Sequence, residues 1–494
     1  MSTNPPTTFY IFGITGNLAS TRILPSLFNL YKQGLLPKNF RIMSMARSQF
    51  SISDFRGKTR KALVDKGTRK QIDTFLKHLF YVSGNFTSKG AYDKLINSHP
   101  IFRNGRSIFY LSVSPEFYED IITGIAAALQ KPRIQSTQLL IEKPFGTDLA
   151  GAKRLNKLLQ KSFTEQQIYL TDHYMAKEPV ENILSFRFAN SIFEYLWNRK
   201  YIDNIQITAA EEIGVEGREN FYEKTGAFRD MVQSHLLQLT ALTTLKRPLE
   251  LTSAAIHRNH IKIIEALRPI KNIDKDVIFG QYEGYRRLKK VDNKSLRETF
   301  AALRVFIDTP QWQGVPIYLR TGKQMSQKIT EITVQFRGNL DKLFIGHKKN
   351  IKPNLLTIRV QPHEGISLIL ANKKPGFQFE LEQRPMDYCY HTFSGEELRY
   401  KEYEKILYEA VHYERTSFIT QKEVEAQWKF VTPIVEKFEQ NPSKYLTFYK
   451  KGSFGPKEAD LMLKRDGRER WSPGVLVCEE LTRAHLKNNF YSGL

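Results

Sequence analysis

Asp172-His173-Tyr174-Met175-Ala176-Lys177 packs a carboxylate, an imidazole, a phenol and an ammonium into one short stretch. The last three can each donate a hydrogen bond to a phosphate, and a carboxylate can orient a histidine. If the stretch is helical, i,i+4 spacing puts His173 and Lys177 on one side. A second stretch, Ile141-Glu142-Lys143-Pro144-Phe145-Gly146, reads as a strand end bearing a charged pair. A lysine at the C-terminal edge of a parallel sheet stands where ligands bind. In a third, Arg229 to Gln238, His235 lies inside an apolar helical run. That segment alone is compatible with a satisfied core histidine as well as with a general base.

These groups need a scaffold. Thr8–Phe12 is a short apolar run ending at Gly13, and Leu18–Lys32 follows with helical spacing. Between them, Gly13-Ile14-Thr15-Gly16-Asn17-Leu18-Ala19 has the glycines a sharp strand-to-helix turn requires. Free N–H groups at the helix start then face an incoming pyrophosphate. The spacing GxxGxxA differs from the commonest dinucleotide fingerprint, and a tight turn without ligand has the same appearance. Phe40–Met45 reads as the next strand, ending in Ala46-Arg47-Ser48. An NAD enzyme places a carboxylate at that strand end, on the ribose 2′-hydroxyl. Arg47 stands there instead, and a guanidinium suits a 2′-phosphate, so NADP is favoured over NAD.

Ser107–Val113 and Gln138–Ile141 read as later strands of the same kind. Strand–helix alternation with short links argues for a parallel, doubly wound sheet. Past Ala176 come helical stretches, Glu181–Asn190 and Arg229–Leu245. From Glu298 onward, TFAALRVFID, VPIYLRTG, EITVQFRG, LLTIRVQP, GISLILANK and FQFELEQ alternate with period two, which predicts a large antiparallel sheet. The expected organisation is an α/β Rossmann-type coenzyme domain over residues 1–175 and a larger α+β domain with a mostly antiparallel sheet over 176–494.

Composition narrows the function classes. The 494 residues suit two to four domains, and 41% hydrophobic content indicates a globular chain. Two cysteines, Cys389 and Cys478, cannot form a disulfide framework, and CxxC is absent. His257 and His260 form an HxxH without cysteines, and no metal site is expected. No apolar run has membrane-helix length, and the N-terminus lacks the basic start of a signal peptide, so a cytoplasmic, reducing location is expected. The net charge of +23 is spread along the chain without an RNP1-like or RGG tract, so no specific nucleic-acid partner is expected.

GITGNLASTRILP, ARS, IFYLSVSP, IEKPFGTDL, DHYMAKE, RFANSIFEYLWNR, EGRENFYEKTGAFRD, QSHLLQ, GVPIYLRTGK and GSFGPKEADLML occur in this order. Over residues from about 8 to 471 the chain thereby resembles the glucose-6-phosphate dehydrogenases. DHYxxKE and the downstream histidine are the specific signals.

The resemblance implies oxidation of glucose 6-phosphate to 6-phosphogluconolactone, the opening step of the oxidative pentose phosphate pathway, in a homodimer or homotetramer. In it, His235 is the general base and Asp172 its partner. His173, Tyr174 and Lys177 form the sugar-phosphate pocket. Glu211 and Asp230 hold sugar hydroxyls, and Lys323 and Lys328 are substrate-side cations. Lys143 lies near both coenzyme and reacting carbon. Gly13, Thr15, Gly16, Asn17, Leu18, Arg47 and Tyr110 match coenzyme contacts. Two departures stand out. Asn17 replaces an aspartate, and Ala176 replaces a glycine, which would reshape the pocket if that position needs positive φ. The alternative is a related two-domain sugar or inositol dehydrogenase, which shares the strand-end EKP but lacks DHYxxK.

Overall fold

Six parallel strands, numbered along the chain, form the first sheet: β1 (Thr7–Phe12), β2 (Phe40–Ala46), β3 (Leu79–Ser83), β4 (Arg106–Leu111), β5 (Ser136–Glu142) and β6 (Ile168–Thr171). Their order is β3-β2-β1-β4-β5-β6, and the short β15 (Phe418–Ile419) adds to β6 antiparallel. This is the doubly wound arrangement, with its switch point between β1 and β4. Every residue of β1 and β4 is buried, as expected of strands covered on both faces. The computed structural model describes residues 5–97, 105–129, 136–338, 352–390 and 400–469. The chain after Trp471 lies outside the described residues.

The first compact unit comprises Met1–Lys177, Leu249–His257 and Tyr400–Glu425. The helix Glu402–His412 buries Tyr403, Ile406, Leu407, Ala410 and Val411 in the same core as β1, β2 and the helix Leu24–Lys32. The fully buried Arg106 donates to the Val411 carbonyl, and its guanidinium lies 3.8 Å from the centroid of the Tyr413 ring.

The second unit is built on a nine-stranded sheet of order β14-β13-β12-β11-β7-β10-β9-β8-β16. Its strands are β7 (Ile202–Ala210), β8 (Val277–Tyr282), β9 (Phe300–Val305), β10 (Ile317–Gly322), β11 (Ile329–Phe336), β12 (Leu355–Gln361), β13 (Gly365–Lys373), β14 (Leu381–Cys389) and β16 (Leu446–Tyr449). Pairing is antiparallel except at β7–β10 and β8–β16. The expected strand FQFELEQ is displaced. The β13–β14 connection runs through Pro375 and Gly376, Lys374 N–H donates to the Glu380 carbonyl at 2.7 Å, and β14 begins only at Leu381. Phe377 and Phe379 are thereby left exposed on the turn.

The helical run around His235 has two parts. Phe228–Leu236 is wound in wide π-type turns, and Leu237–Thr244 continues as α-helix. Its C-terminal carbonyls are all taken. Arg187 donates to Leu242 O at 2.9 Å and Leu245 O at 2.8 Å. The indoles of Trp197 and Trp312 donate to Thr243 O and Thr244 O, each at 2.7 Å. A buried cation at a helix C-terminus also meets the negative end of the dipole. Among the described residues, no helix is long and apolar enough to cross a membrane.

Arg187→Met keeps the apolar stem but removes both charged donors. It should lower unfolding free energy by about 3 kcal/mol, measured by urea titration. A loss under about 1 kcal/mol would contradict the capping role.

Candidate active site

Parallel strands that end together collect whatever follows them on one edge. In the first unit, Gly13 follows β1, Arg47 follows β2, Ser112 follows β4, Lys143 follows β5 and Asp172 follows β6. Gly13 N–H donates to Met45 O at 2.8 Å, and Ser112 N–H donates to Phe12 O at 3.0 Å, so the turn is fastened to both neighbouring strands. Gly13 has φ +78°, and a Cβ there would fall 2.2 Å from Ser112 O and 2.7 Å from Val113 Cγ1. Only glycine fits that corner. Gly16 N–H closes the turn onto Gly13 O at 2.9 Å, and Thr15, Gly16 and Asn17 face solvent while Ile14 is buried beneath them. Leu18 packs partly against the core of the unit. The following turns, Ala19–Ile23, are wide, and Thr21 Oγ1 donates to Asn17 O at 2.7 Å.

Arg47 is exposed, with its guanidinium 4.9 Å from the Phe117 ring centroid. The hydroxyl of Ser112 is buried without a hydrogen-bond partner. A glycine cradle open to solvent, an orphaned hydroxyl beside it and an exposed guanidinium at the next strand end together fit a nicotinamide dinucleotide.

Tyr110 is 1% exposed, and its hydroxyl donates to the Glu142 carboxylate. Tyr118 donates to the Glu142 carbonyl at 2.7 Å. Burial pushes the Glu142 carboxyl up to about 7; Tyr110 and Lys143 oppose the shift, and Asp172 adds to it. The fully buried Asp172 accepts the Tyr174 N–H at 3.0 Å, and its carbonyl accepts the Met175 N–H at 3.0 Å. The stretch is therefore two successive turns instead of the helix considered above, because the aspartate side chain holds the backbone in an Asx-type turn. His173 stacks on Tyr403 with ring centroids 6.3 Å apart, and the Lys177 ammonium lies 5.6 Å from the Tyr174 ring centroid. Ala176 is fully buried and is not among the positive-φ residues, so its methyl group is accommodated without backbone strain.

In the second unit, parallel pairing matches Ala210 of β7 with Gly322 of β10, so Glu211 and Lys323 emerge side by side. Glu211 N–H donates to Gly322 O at 3.0 Å, and the Lys323 ammonium forms a close ion pair with the Glu211 carboxylate. Glu212 is exposed, and so is Lys328. The π-helical segment carrying Asp230 and His235 packs on β7, β9 and β10. Its entry is set by Gly226, with φ +65°, where a Cβ would fall 2.0 Å from Glu298 Oε1. Glu298 accepts the Phe228 N–H at 3.2 Å there. His235 is 2% exposed, and Asp230 is partly exposed. Wide helical turns of this type recur at functional sites.

Glu142 and Tyr403 were not singled out from the sequence. The adjacent EKP flagged Glu142 as charged, but its phenolic partner lies a strand away. Tyr403 reaches the Asp172 segment only through the later helix.

A doubly wound parallel sheet with a glycine turn at its switch point is the architecture of a nicotinamide dinucleotide-binding domain. Residues 10–182 match the family described as "Glucose-6-phosphate dehydrogenase, NAD binding domain", and residues 184–472 match "Glucose-6-phosphate dehydrogenase, C-terminal domain". The chain is 39% identical to the glucose-6-phosphate 1-dehydrogenase of Bacillus subtilis, covering 96% of this chain and 100% of that one. It is 38% identical to the enzyme of the same name from Borreliella burgdorferi, over 92% of this chain and 96% of that one. A solved glucose-6-phosphate dehydrogenase in complex with its substrate glucose-6-phosphate superposes with a TM-score of 0.87 at 29% identity, covering 96% of this chain and 100% of that one. The chain belongs to the glucose-6-phosphate dehydrogenase family.

The raised Glu142 group gives a pH signature. Its folded pKa lies above the ordinary carboxyl value, so the stability Glu142 contributes is full at low pH, is lost as pH rises through the window from about 4.5 to about 7, and does not change further above it. Glu142→Gln removes this slope. The variant should gain on wild type by up to about 3 kcal/mol between pH 5 and pH 8, read by urea unfolding. Parallel stability curves would contradict the assignment.

Proposed function

We propose that this enzyme oxidises glucose 6-phosphate at C1, with NADP as hydride acceptor, to 6-phosphogluconolactone. The observation that carries the reading is the gathering of Gly13, Arg47, Lys143 and Asp172 on one sheet edge in a chain of this family. Gly13, Thr15, Gly16, Asn17 and Leu18 would hold the pyrophosphate turn, and Arg47 would meet the 2′-phosphate. Tyr110 acts on the coenzyme side through Glu142. The coenzyme, when bound, supplies the hydride acceptor.

The chain's own residues do the rest. An imidazole nitrogen of His235 takes the proton from the C1 hydroxyl, and Asp172 fixes the tautomer and favours the imidazolium that forms. His173, Tyr174 and Lys177 donate to the substrate phosphate. Lys143 positions the reacting end, while Glu211 and Asp230 accept from sugar hydroxyls. Lys323 and Lys328 supply positive charge on the substrate side. By the same reading the enzyme opens the oxidative pentose phosphate pathway in the cytoplasm and works as a homodimer or homotetramer. The exposed Met386 and Tyr388 of β14 support that last point, because such apolar side chains on a sheet edge favour burial.

Initial rates with glucose 6-phosphate or glucose, each with NADP or NAD, test the reading. The expected order puts glucose 6-phosphate with NADP first, and free glucose at least 10-fold below it. Arg47→Ala should narrow the gap between the coenzymes by raising KM for NADP alone. Equal rates with phosphorylated and free glucose would overturn the proposal.

A further inference from the structure

The helix Glu219–Ala227 carries a polar atom that the mechanism above leaves without a task. Tyr222 is 2% exposed, and its hydroxyl has no hydrogen-bond partner. Buried phenols normally find one, and an orphaned hydroxyl costs stability. The surroundings are not apolar. The Lys323 ammonium lies 5.6 Å from the Tyr222 ring centroid, and that ammonium is the one paired with Glu211. Burial, then the nearby Asp230, Glu298, Tyr449 and Glu211, hold the phenol well above its ordinary pKa, so it stays protonated and able to donate.

Two of these neighbours are already engaged. Tyr449 donates to Lys323 O at 2.6 Å, and Glu298 accepts the Phe228 N–H at 3.2 Å. Glu211 and Asp230 are the carboxylates assigned to sugar hydroxyls. The Tyr222 helix runs through Gly226 directly into the π-helical segment that carries Asp230 and His235.

We infer that Tyr222 is a further substrate-binding residue, whose hydroxyl donates a hydrogen bond to a ring hydroxyl of the phosphorylated sugar. The chemistry calls for such a group. A sugar hydroxyl both donates and accepts, whereas carboxylates only accept. Glu211 and Asp230 accept hydrogen bonds from sugar hydroxyls. Tyr222 supplies a neutral donor to a sugar oxygen without adding charge beside Lys323. The inference rests on the proposed sugar-phosphate reading of this site.

The test is Tyr222→Phe, which removes one oxygen. KM for glucose 6-phosphate should rise roughly 3–10-fold, with KM for NADP unchanged within about two-fold. The thermal midpoint without substrate should equal or exceed that of wild type, since the orphaned group is gone. The rise in midpoint on adding glucose 6-phosphate should shrink. With the 2-deoxy, 3-deoxy or 4-deoxy analogue that lacks the contacted hydroxyl, wild type and variant should converge. A folded variant whose KM for glucose 6-phosphate and substrate-induced midpoint shift both match wild type would overturn the inference alone. A wild type that neither turns over glucose 6-phosphate nor is stabilised by it would overturn the proposed function along with it.

Discussion

Parallel strand pairing is the constraint on which the rest depends. Strands that run the same way end at the same edge, and their next residues are forced into company. In the first unit this brings together residues as far apart in sequence as Gly13 and Asp172. In the second, one parallel pair inside an otherwise antiparallel neighbourhood does the same for Glu211 and Lys323. An antiparallel β7–β10 pair would send these two groups to opposite ends of the sheet. The strand directions, more than any single contact, decide which chemistry is possible.

Each of these edges, taken in its own unit, is electrostatically costly, and the structure shows how the cost is met. Glu142 is held partly protonated by burial and receives the Tyr110 hydroxyl. Lys323 is buried but paired, and the π-helical segment enters over a glutamate that accepts its backbone N–H. Burying a charge without such partners costs several kcal/mol. The two wide helical segments, Ala19–Ile23 and Phe228–Leu236, lie where the chain leaves the glycine turn and where it carries His235. Arg187 and two tryptophans secure the far end of the α-helix Leu237–Thr244 that continues the second segment.

Much of this was legible locally. β1, β2, β4 and β5 are continuous apolar runs closed by glycine, arginine or proline signals, and these survive without any tertiary context. The period-two strands from Phe300 onward were equally plain, except where a turn built on Pro375 and Gly376 pushed β14 later. Other features were not legible because they are set by distant parts of the chain. No local pattern distinguishes a parallel β7–β10 pair from an antiparallel one. Nothing in residues 249–257 or 400–425 marks them as packing with the first sheet. The turns at Asp172 depend on a side chain competing for the backbone, which helical spacing does not register. Of the site residues, those in short motifs could be read directly. The Tyr110–Glu142 pair and the environment of Tyr222 emerge only when separate elements are brought together.

The proposed function makes His235 the general base and Asp172 the carboxylate that orients it. A double-mutant cycle on kcat/KM for glucose 6-phosphate tests it, with Asp172→Asn, His235→Asn and the double variant. Loss of the base should cost roughly 10²–10⁴ in rate, and Asp172→Asn should cost little further once His235 is gone. Fully multiplicative losses, or near wild-type turnover in His235→Asn, would contradict the account.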